Sequence, residues 1–339
     1  MQKRRILLVV LALGILIVWR QLHKEEEAKL IHLTGETMGV VPYSVKYLDM
    51  AERDYKEEID SLLVDFNQSL STYIHDSEVS EFNRTDSIYY RTPYFYPMLN
   101  ISKDIFEKSE GAFDPTIGPL VNAWGFGPEK KSTLDSALVD SLLMTVGFDN
   151  VLFDNKKAAK LPGVYLDFSA TAKGYAVDVV ASFLEEMGIH NFMVEIGGEV
   201  VCNGKNDKNT YWKIGIEKPD MSPEMSDLYA TTFVKNTALA TSGNYRNYYK
   251  EEGRIISHTI SPYTGYSIRH NLLSASIYAP SCALADGFAT ACMVLGVDKS
   301  IAMIESNNEL EGLLIFSDEK GNLNYYASEG ITSIIEIVE

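Results

Sequence analysis

Cysteine is scarce in this chain of 339 residues: Cys202, Cys282 and Cys292 are all it has. An odd number without paired spacing gives no disulfide framework. Cys282 and Cys292 read instead as small apolar packing groups. Basic charge is short as well. Thirty Lys and Arg face 47 Asp and Glu, a formal net charge of −17, so the basic face that a nucleic-acid partner requires is missing. The acidity reads as a solvated surface. It does not exclude a phosphate ligand, because a bound cation can reverse the local sign. Repeats and low-complexity tracts are absent too, and the length suffices for a large core.

One apolar run stands out. Lys3, Arg4 and Arg5 precede an unbroken stretch from Ile6 to Trp19, and Arg20 and polar residues through Glu27 follow. This is the layout of a secretory signal or an uncleaved signal anchor. The run is short of the roughly 20 residues of a full span. The lack of a small-x-small cleavage site favours the anchor. Basic residues in front hold the N-terminus in the cytoplasm and send the remainder across. No cysteine follows the run directly, so lipid attachment there is excluded. Residues 1–30 therefore read as signal anchor and charged spacer, and 31–339 as one catalytic-sized domain.

Periodicity supplies the elements. Tyr55, Ile59, Leu62, Leu63, Phe66 and Leu70 recur at helical spacing. Further helices are expected over about 97–109, from Leu134 to Gly147, and from Ala172 to Gly188. Val40–Tyr47, Val164–Phe168, Phe192–Ile196, Trp212–Glu217, Thr231–Lys235, Arg254–Ile260 and Leu273–Tyr278 read as strands. Glu252-Gly253 and Gly321-Asn322 read as hairpin turns. A Gly/Pro-rich loop is expected from Ala112 to Glu129. Hairpins beside a β–helix–β unit favour an α+β fold, with mixed or antiparallel sheets and packed helices.

Five segments can carry chemistry. Cys282–Cys292 reads as a buried helix on which Asp286 and Thr290, four apart, share one face. Small residues around them let a ligand or a backbone approach. Two such oxygens suit a hard cation such as Mg²⁺, or else Asp286 is a capping or core-polar carboxylate and Thr290 a helix filler. In the Ala112–Glu129 loop, Asp114 is held extended by Pro115 and can accept from a ligand or cap a turn. Trp124 and Phe126 offer aromatic faces to a flat ring. At Asp167–Asp178 a strand-to-helix junction offers amides and Lys173 to an anion, though without the glycine spacing of a phosphate-binding loop. Asp167, Ser169 and Thr171 can equally serve as ordinary caps. His258, before the Pro262–Gly265 turn, is either structural or a base near neutral pH. Thr37-Met38-Gly39 is a strand start or a flexible apolar contact.

In this order, these segments resemble the ApbE family of FAD:protein FMN transferases. The likeness rests on Thr-Met-Gly at 37–39, Phe-Asp-Pro-Thr-Ile-Gly-Pro-Leu at 113–120, Lys-Gly-Tyr-Ala-Val-Asp at 173–178, Glu-Ile-Gly-Gly-Glu at 195–199 and Asp-x-x-x-Thr at 286–290. It implies a single ectodomain of the ApbE-like, T-fold-related type. It also implies an enzyme on the periplasmic face of a bacterial inner membrane. Such an enzyme uses Mg²⁺ and FAD to attach FMN to a Ser or Thr of an acceptor protein, for instance a subunit of a membrane redox complex, with AMP leaving. Hydrolysis of FAD to FMN and AMP, and flavin binding without catalysis, are the alternatives. Carried over position by position, the resemblance makes Met38, Tyr73, Ala112, Phe113, Asp114, Asp167, Lys173 and Ile260 FAD contacts. It makes Ala170, through its carbonyl, with Asp286 and Thr290, the Mg²⁺ ligands. His258 becomes the group that takes the proton from the acceptor hydroxyl. The chain departs from the family at Ser261, where Asp is usual, at Ser169-Ala170-Thr171, where a Gly-Gly-Ile type sequence is commoner, and in lacking a lipoprotein cysteine.

Overall fold

The computed structural model describes residues 28–128, 131–219, 227–244, 248–251 and 254–338. The expected anchor and the Glu252-Gly253 turn lie outside the described residues. No helix among the described residues is long and apolar enough to cross a membrane.

An eight-stranded sheet organises the chain. Its members are β1 (Lys29–Thr37), β2 (Val41–Asp49), β6 (Phe192–Ile196), β7 (Glu199–Asn203), β10 (Thr237–Gly243), β13 (Leu272–Ala279), β14 (Glu311–Ser317) and β15 (Leu323–Ala327), in the order β1-β2-β6-β7-β10-β13-β14-β15. Every neighbouring pair in it is antiparallel. The remaining strands form small sheets: β3 (Ser87–Tyr89), β5 (Lys157–Lys160) and β4 (Val151–Phe153); β11 (Tyr248–Glu251) and β12 (Arg254–Ser257); and β16 (Ile335–Ile337), β9 (Leu228–Val234) and β8 (Trp212–Glu217). β1 begins just before the boundary that the sequence suggests at residue 31.

Alternation along the strands buries both faces of the main sheet. Ala238, Ala240, Ala275, Ile277 and Leu314 point into the larger core, beneath the helices. Their neighbours Leu239, Tyr278, Leu313 and Ile315 point the other way, where Trp212, Ile216, Ala230 and Val234 of the β16-β9-β8 sheet cover them.

Eight α-helices are described: α1 (Lys56–Leu70), α2 (Glu78–Arg84), α3 (Phe95–Lys108), α4 (Gly118–Ala123), α5 (Ser136–Leu143), α6 (Ala172–Glu186), α7 (Cys282–Leu295) and α8 (Val297–Ser306). In α1 the residues Ile59, Leu63, Phe66 and Leu70 form the buried stripe that their spacing predicts. α7 is buried almost all round, as its Ala/Gly-rich sequence requires, between α6, α3 and strands β10 and β13. Its small residues permit this closeness: a Cβ on Gly287 would come 2.4 Å from Ile105 Cδ1. Phe288, 1% exposed, contributes roughly 2–3 kcal/mol by leaving water. Cys202, Cys282 and Cys292 are buried and unpaired, as expected.

Two expectations need correction. Val164–Phe168 is not a strand. Its residues are mostly buried, but its partners are a side chain and a loop: Asn83 of α2 accepts from Leu166 N at 2.7 Å and donates to Leu166 O at 2.8 Å, and Asp167 N donates to Pro115 O at 2.7 Å. The expected β–helix–β unit is therefore absent, while the α+β class stands. The Ala112–Glu129 segment is also not loop throughout. Gly118-Pro119 starts α4, with Pro in the first turn where a missing amide does no harm.

Candidate active site

α6 and α7 cross so closely that a Cβ on Gly174 would lie 2.2 Å from Cys282 O. That contact places two carboxylates. Asp178 of α6 accepts from Cys282 N at 2.7 Å and Ala283 N at 2.8 Å, which caps the start of α7. Burial nevertheless pushes its pKa up to about 7. Asp286 of α7, one turn further on, reaches back and accepts from Gly174 N at 3.0 Å.

Asp286 faces a cavity of about 350 Å³ between the helices, the Ala112–Ile117 loop and the segment after β12. Tyr73, Ala112, Phe113, Asp114, Asp167, Ala170, Lys173, His258, Ile260, Asp286 and Thr290 all line it. The structure thus brings together every residue expected in the site except Met38. That residue sits at the tip of the β1–β2 hairpin in the left-handed region, φ 49°, and is not among the lining residues. Phe126 also lines the cavity, whereas Trp124 packs away from it, donating from Nε1 to Gly265 O at 2.8 Å.

The polar wall has two parts. In the first, Asp114 accepts at one oxygen from Thr116 N (2.8 Å) and Thr116 Oγ1 (2.6 Å), and burial pushes its pKa up to about 6. Asp114 is therefore both a local turn cap and a cavity group. Asp167 likewise accepts from Ser169 N at 2.9 Å and from the Ser169 hydroxyl. The second part surrounds Asp286. Thr290 Oγ1 lies 3.5 Å from Ala170 O and 3.3 Å from Ser242 Oγ. The Lys173 ammonium contacts Glu199 Oε1 and stands 3.7 Å from Asp286 Oδ1. Burial pushes Glu199 up to about 7 and Asp286 above the ordinary carboxylate range. Burial acts against the Lys173 ammonium too, but the Asp286 and Glu199 charges outweigh it and raise its pKa.

The junction before α6 works differently from its sequence reading. Thr171 N and Ala172 N donate to Phe168 O at 2.9 and 2.8 Å, and Gly174 N is taken by Asp286. These amides are not free for an anion, which leaves the Lys173 ammonium as the positive group of this junction that lines the cavity. His258 packs edge-on to Phe126, ring centroids 6.3 Å apart. Ser261, in the place of the family's usual Asp, holds the turn after it: Ser261 O accepts from Gly265 N at 2.8 Å and Ser261 Oγ from Tyr263 N at 3.3 Å. Glu199, Ser242 and Asp178 are neighbours of the site to which the sequence reading gave no role, although Glu199 and Asp178 stand in its motifs. The acid directly after Gly197-Gly198 was the available signal for the first.

A model of the ApbE family matches residues 38–314. The FAD:protein FMN transferase of Haemophilus influenzae is 41% identical over 313 residues, which cover 87% of this chain and 89% of that protein. The one from Vibrio cholerae is 38% identical over 317 residues, 90% of this chain and 92% of that protein. Two solved structures are similar in fold. The flavin transferase ApbE from Vibrio cholerae has a TM-score of 0.81 at 35% identity and covers 91% of this chain and 99% of its own. The apo form of Pseudomonas stutzeri flavinyl transferase ApbE scores 0.79 at 31% identity, covering 89% of this chain and 96% of its own. Fold and cleft thus define an α+β protein of the flavin transferase class. The chain belongs to the ApbE family.

Proposed function

We propose that this chain transfers FMN from FAD to a Ser or Thr hydroxyl of an acceptor protein, releasing AMP, with Mg²⁺ at Asp286. The observation that carries this reading is the cavity that collects His258, Lys173, Asp286, Thr290 and Ala170 from segments far apart in the chain.

The donor set fits a hard cation. Among the described residues no group of three or more His, Cys, Asp or Glu is placed to hold a metal. An ion here would draw instead on Asp286, the Thr290 hydroxyl and the Ala170 carbonyl, all oxygen ligands of the kind Mg²⁺ prefers. Glu199 Oε2 is buried without a hydrogen-bond partner, so the acids around Lys173 are not fully satisfied by the protein alone. A divalent ion held by these oxygens would supply positive charge against the pyrophosphate and its leaving group.

The chain's own residues supply the rest. Lys173 offers a fixed positive charge to a phosphate in the cavity. Ala112, Phe113 and Ile260 provide the apolar wall that a flavin or nucleotide ring requires. His258 takes the proton of the acceptor hydroxyl. That oxygen forms a bond to the FMN phosphorus while the bond from phosphorus to the AMP oxygen breaks. Ser261 keeps the His258 turn in shape without adding a charge to it.

The basic residues at 3–5 and the apolar run at 6–19 support an anchor in the inner membrane, with the catalytic domain on the periplasmic side. A subunit of a membrane redox complex is the acceptor that such a location favours. The test uses the full-length protein with FAD, Mg²⁺ and a candidate acceptor, followed by mass spectrometry. Covalent FMN on the acceptor plus AMP supports transfer. Free FMN and AMP without adduct would show hydrolysis instead, and intact FAD would show binding alone.

A further inference from the structure

Lys173 stands between two carboxylates of unequal hold. It touches Glu199 Oε1 and is 3.7 Å from Asp286 Oδ1. The two acidic side chains are only 4% and 3% exposed, so water does little to screen either charge. Lys173 and Asp286 line the cavity, but Glu199 does not. Glu199 meets the site by contact through Lys173, while its charge is also felt at Asp286. The backbone is shaped for this contact. Gly197 and Gly198 both have positive φ, 62° and 102°, and turn the chain into β7, which Glu199 opens. A Cβ on Gly197 would lie 3.3 Å from Lys173 Cδ and 2.7 Å from Val41 Cγ1. The bare glycine lets the lysine stem lie along the turn and reach Glu199.

We propose that Glu199 is a positioning residue: it holds the Lys173 ammonium off Asp286 and so leaves Asp286 Oδ1 for the cation. The proposal rests on the cation reading above. Asp286 Oδ2 is already engaged by Gly174 N, so Oδ1 is the oxygen in contention. An ammonium released from Glu199 would close the 3.7 Å gap, pair with Asp286 and compete with the ion. Glu199 therefore acts on metal binding by occupying Lys173, not by its charge alone.

A double-mutant cycle separates these two actions. Mn²⁺ affinity of the full-length protein is read by electron paramagnetic resonance of the free ion, without nucleotide and without turnover. Glu199→Gln is expected to weaken Mn²⁺ binding about tenfold, at the low end of the range for partners of metal ligands. With Lys173 already replaced by Met, the same change should alter affinity by less than about twofold, within the additivity error of such cycles. Equal losses in both backgrounds would show Glu199 acting as a bare charge and would overturn the proposal. Glu199→Asp, which keeps the lysine partner, should retain most of the affinity. A parallel cycle with Glu199→Ser makes the outcome independent of how the Gln variant folds. A wild-type protein that binds no Mn²⁺ would overturn the cation reading and this proposal together. Wild-type binding with equal losses overturns this proposal alone.

Discussion

Replacing Asp114 by Asn removes an ionisable group from a site where the fold resists its charge. Asp114 is 6% exposed, and burial pushes its pKa from 3.8 to about 6 against the opposing hydrogen bonds of Thr116. That rise corresponds to about 3 kcal/mol held against the ionised form. The sign follows from proton counting. Below pH 3.8 both the folded and the unfolded chain carry the proton, and the group has no net effect. Between pH 3.8 and about 6 the unfolded chain releases the proton while the folded chain keeps it, so stability falls as pH rises. Above about pH 6 the full penalty is present. Asn keeps the acceptor oxygen for Thr116 but has nothing to ionise. Asp114→Asn should therefore match the wild type near pH ~4 and exceed its stability by up to about 3 kcal/mol at pH ~8. Urea unfolding at a series of pH values measures the difference directly. A difference that stays constant across this range would refute the argument, because only titration of Asp114 makes it vary. The same variant should transfer FMN more slowly, since it removes a charge from the cavity wall, the usual trade of stability against activity.

Two further outcomes follow from the geometry. His258→Ala should lower FMN transfer about 10²–10⁴-fold, the usual contribution of a general base, while FAD binding measured by flavin fluorescence changes little; undiminished transfer would remove His258 from the mechanism. Gly174→Ala would drive a methyl group into Cys282 O, 2.2 Å away, and should cost about 1–3 kcal/mol in thermal unfolding. It should also weaken Mn²⁺ binding, because the bond from Gly174 N to Asp286 would be lost; a normal melting temperature would show that α6 and α7 can slide apart.

Much of the fold was legible because burial and local periodicity agree. The stripe Ile59, Leu63, Phe66, Leu70 became a helix face, and Phe192–Ile196 and Trp212–Glu217 became strands with the bounds read from the sequence. Val164–Phe168 shows where this agreement ends. Its apolar alternation records burial, and burial without a ladder looks the same in sequence as burial within one. Asn83, which supplies its hydrogen bonds, belongs to a helix 83 residues away. In the candidate site, side chains such as Asp114, Lys173 and Asp286 could be singled out by their setting. Glu199 could not be given a role, because its meaning lies in its partner.

The sequence by itself determined the charge class, the order of the motifs and the shared helix face of Asp286 and Thr290, since spacing of four residues fixes that face wherever the helix lies. Only the tertiary structure decided that Ala170 O would meet Thr290 across 120 residues, that Gly174 would hold Asp286 across 112, and that Lys173 would lean on Glu199. Local rules fix neighbours within a turn or a strand. Contacts between distant segments depend on which faces pack together, and here the missing side chain of Gly174 lets α6 and α7 close over the site.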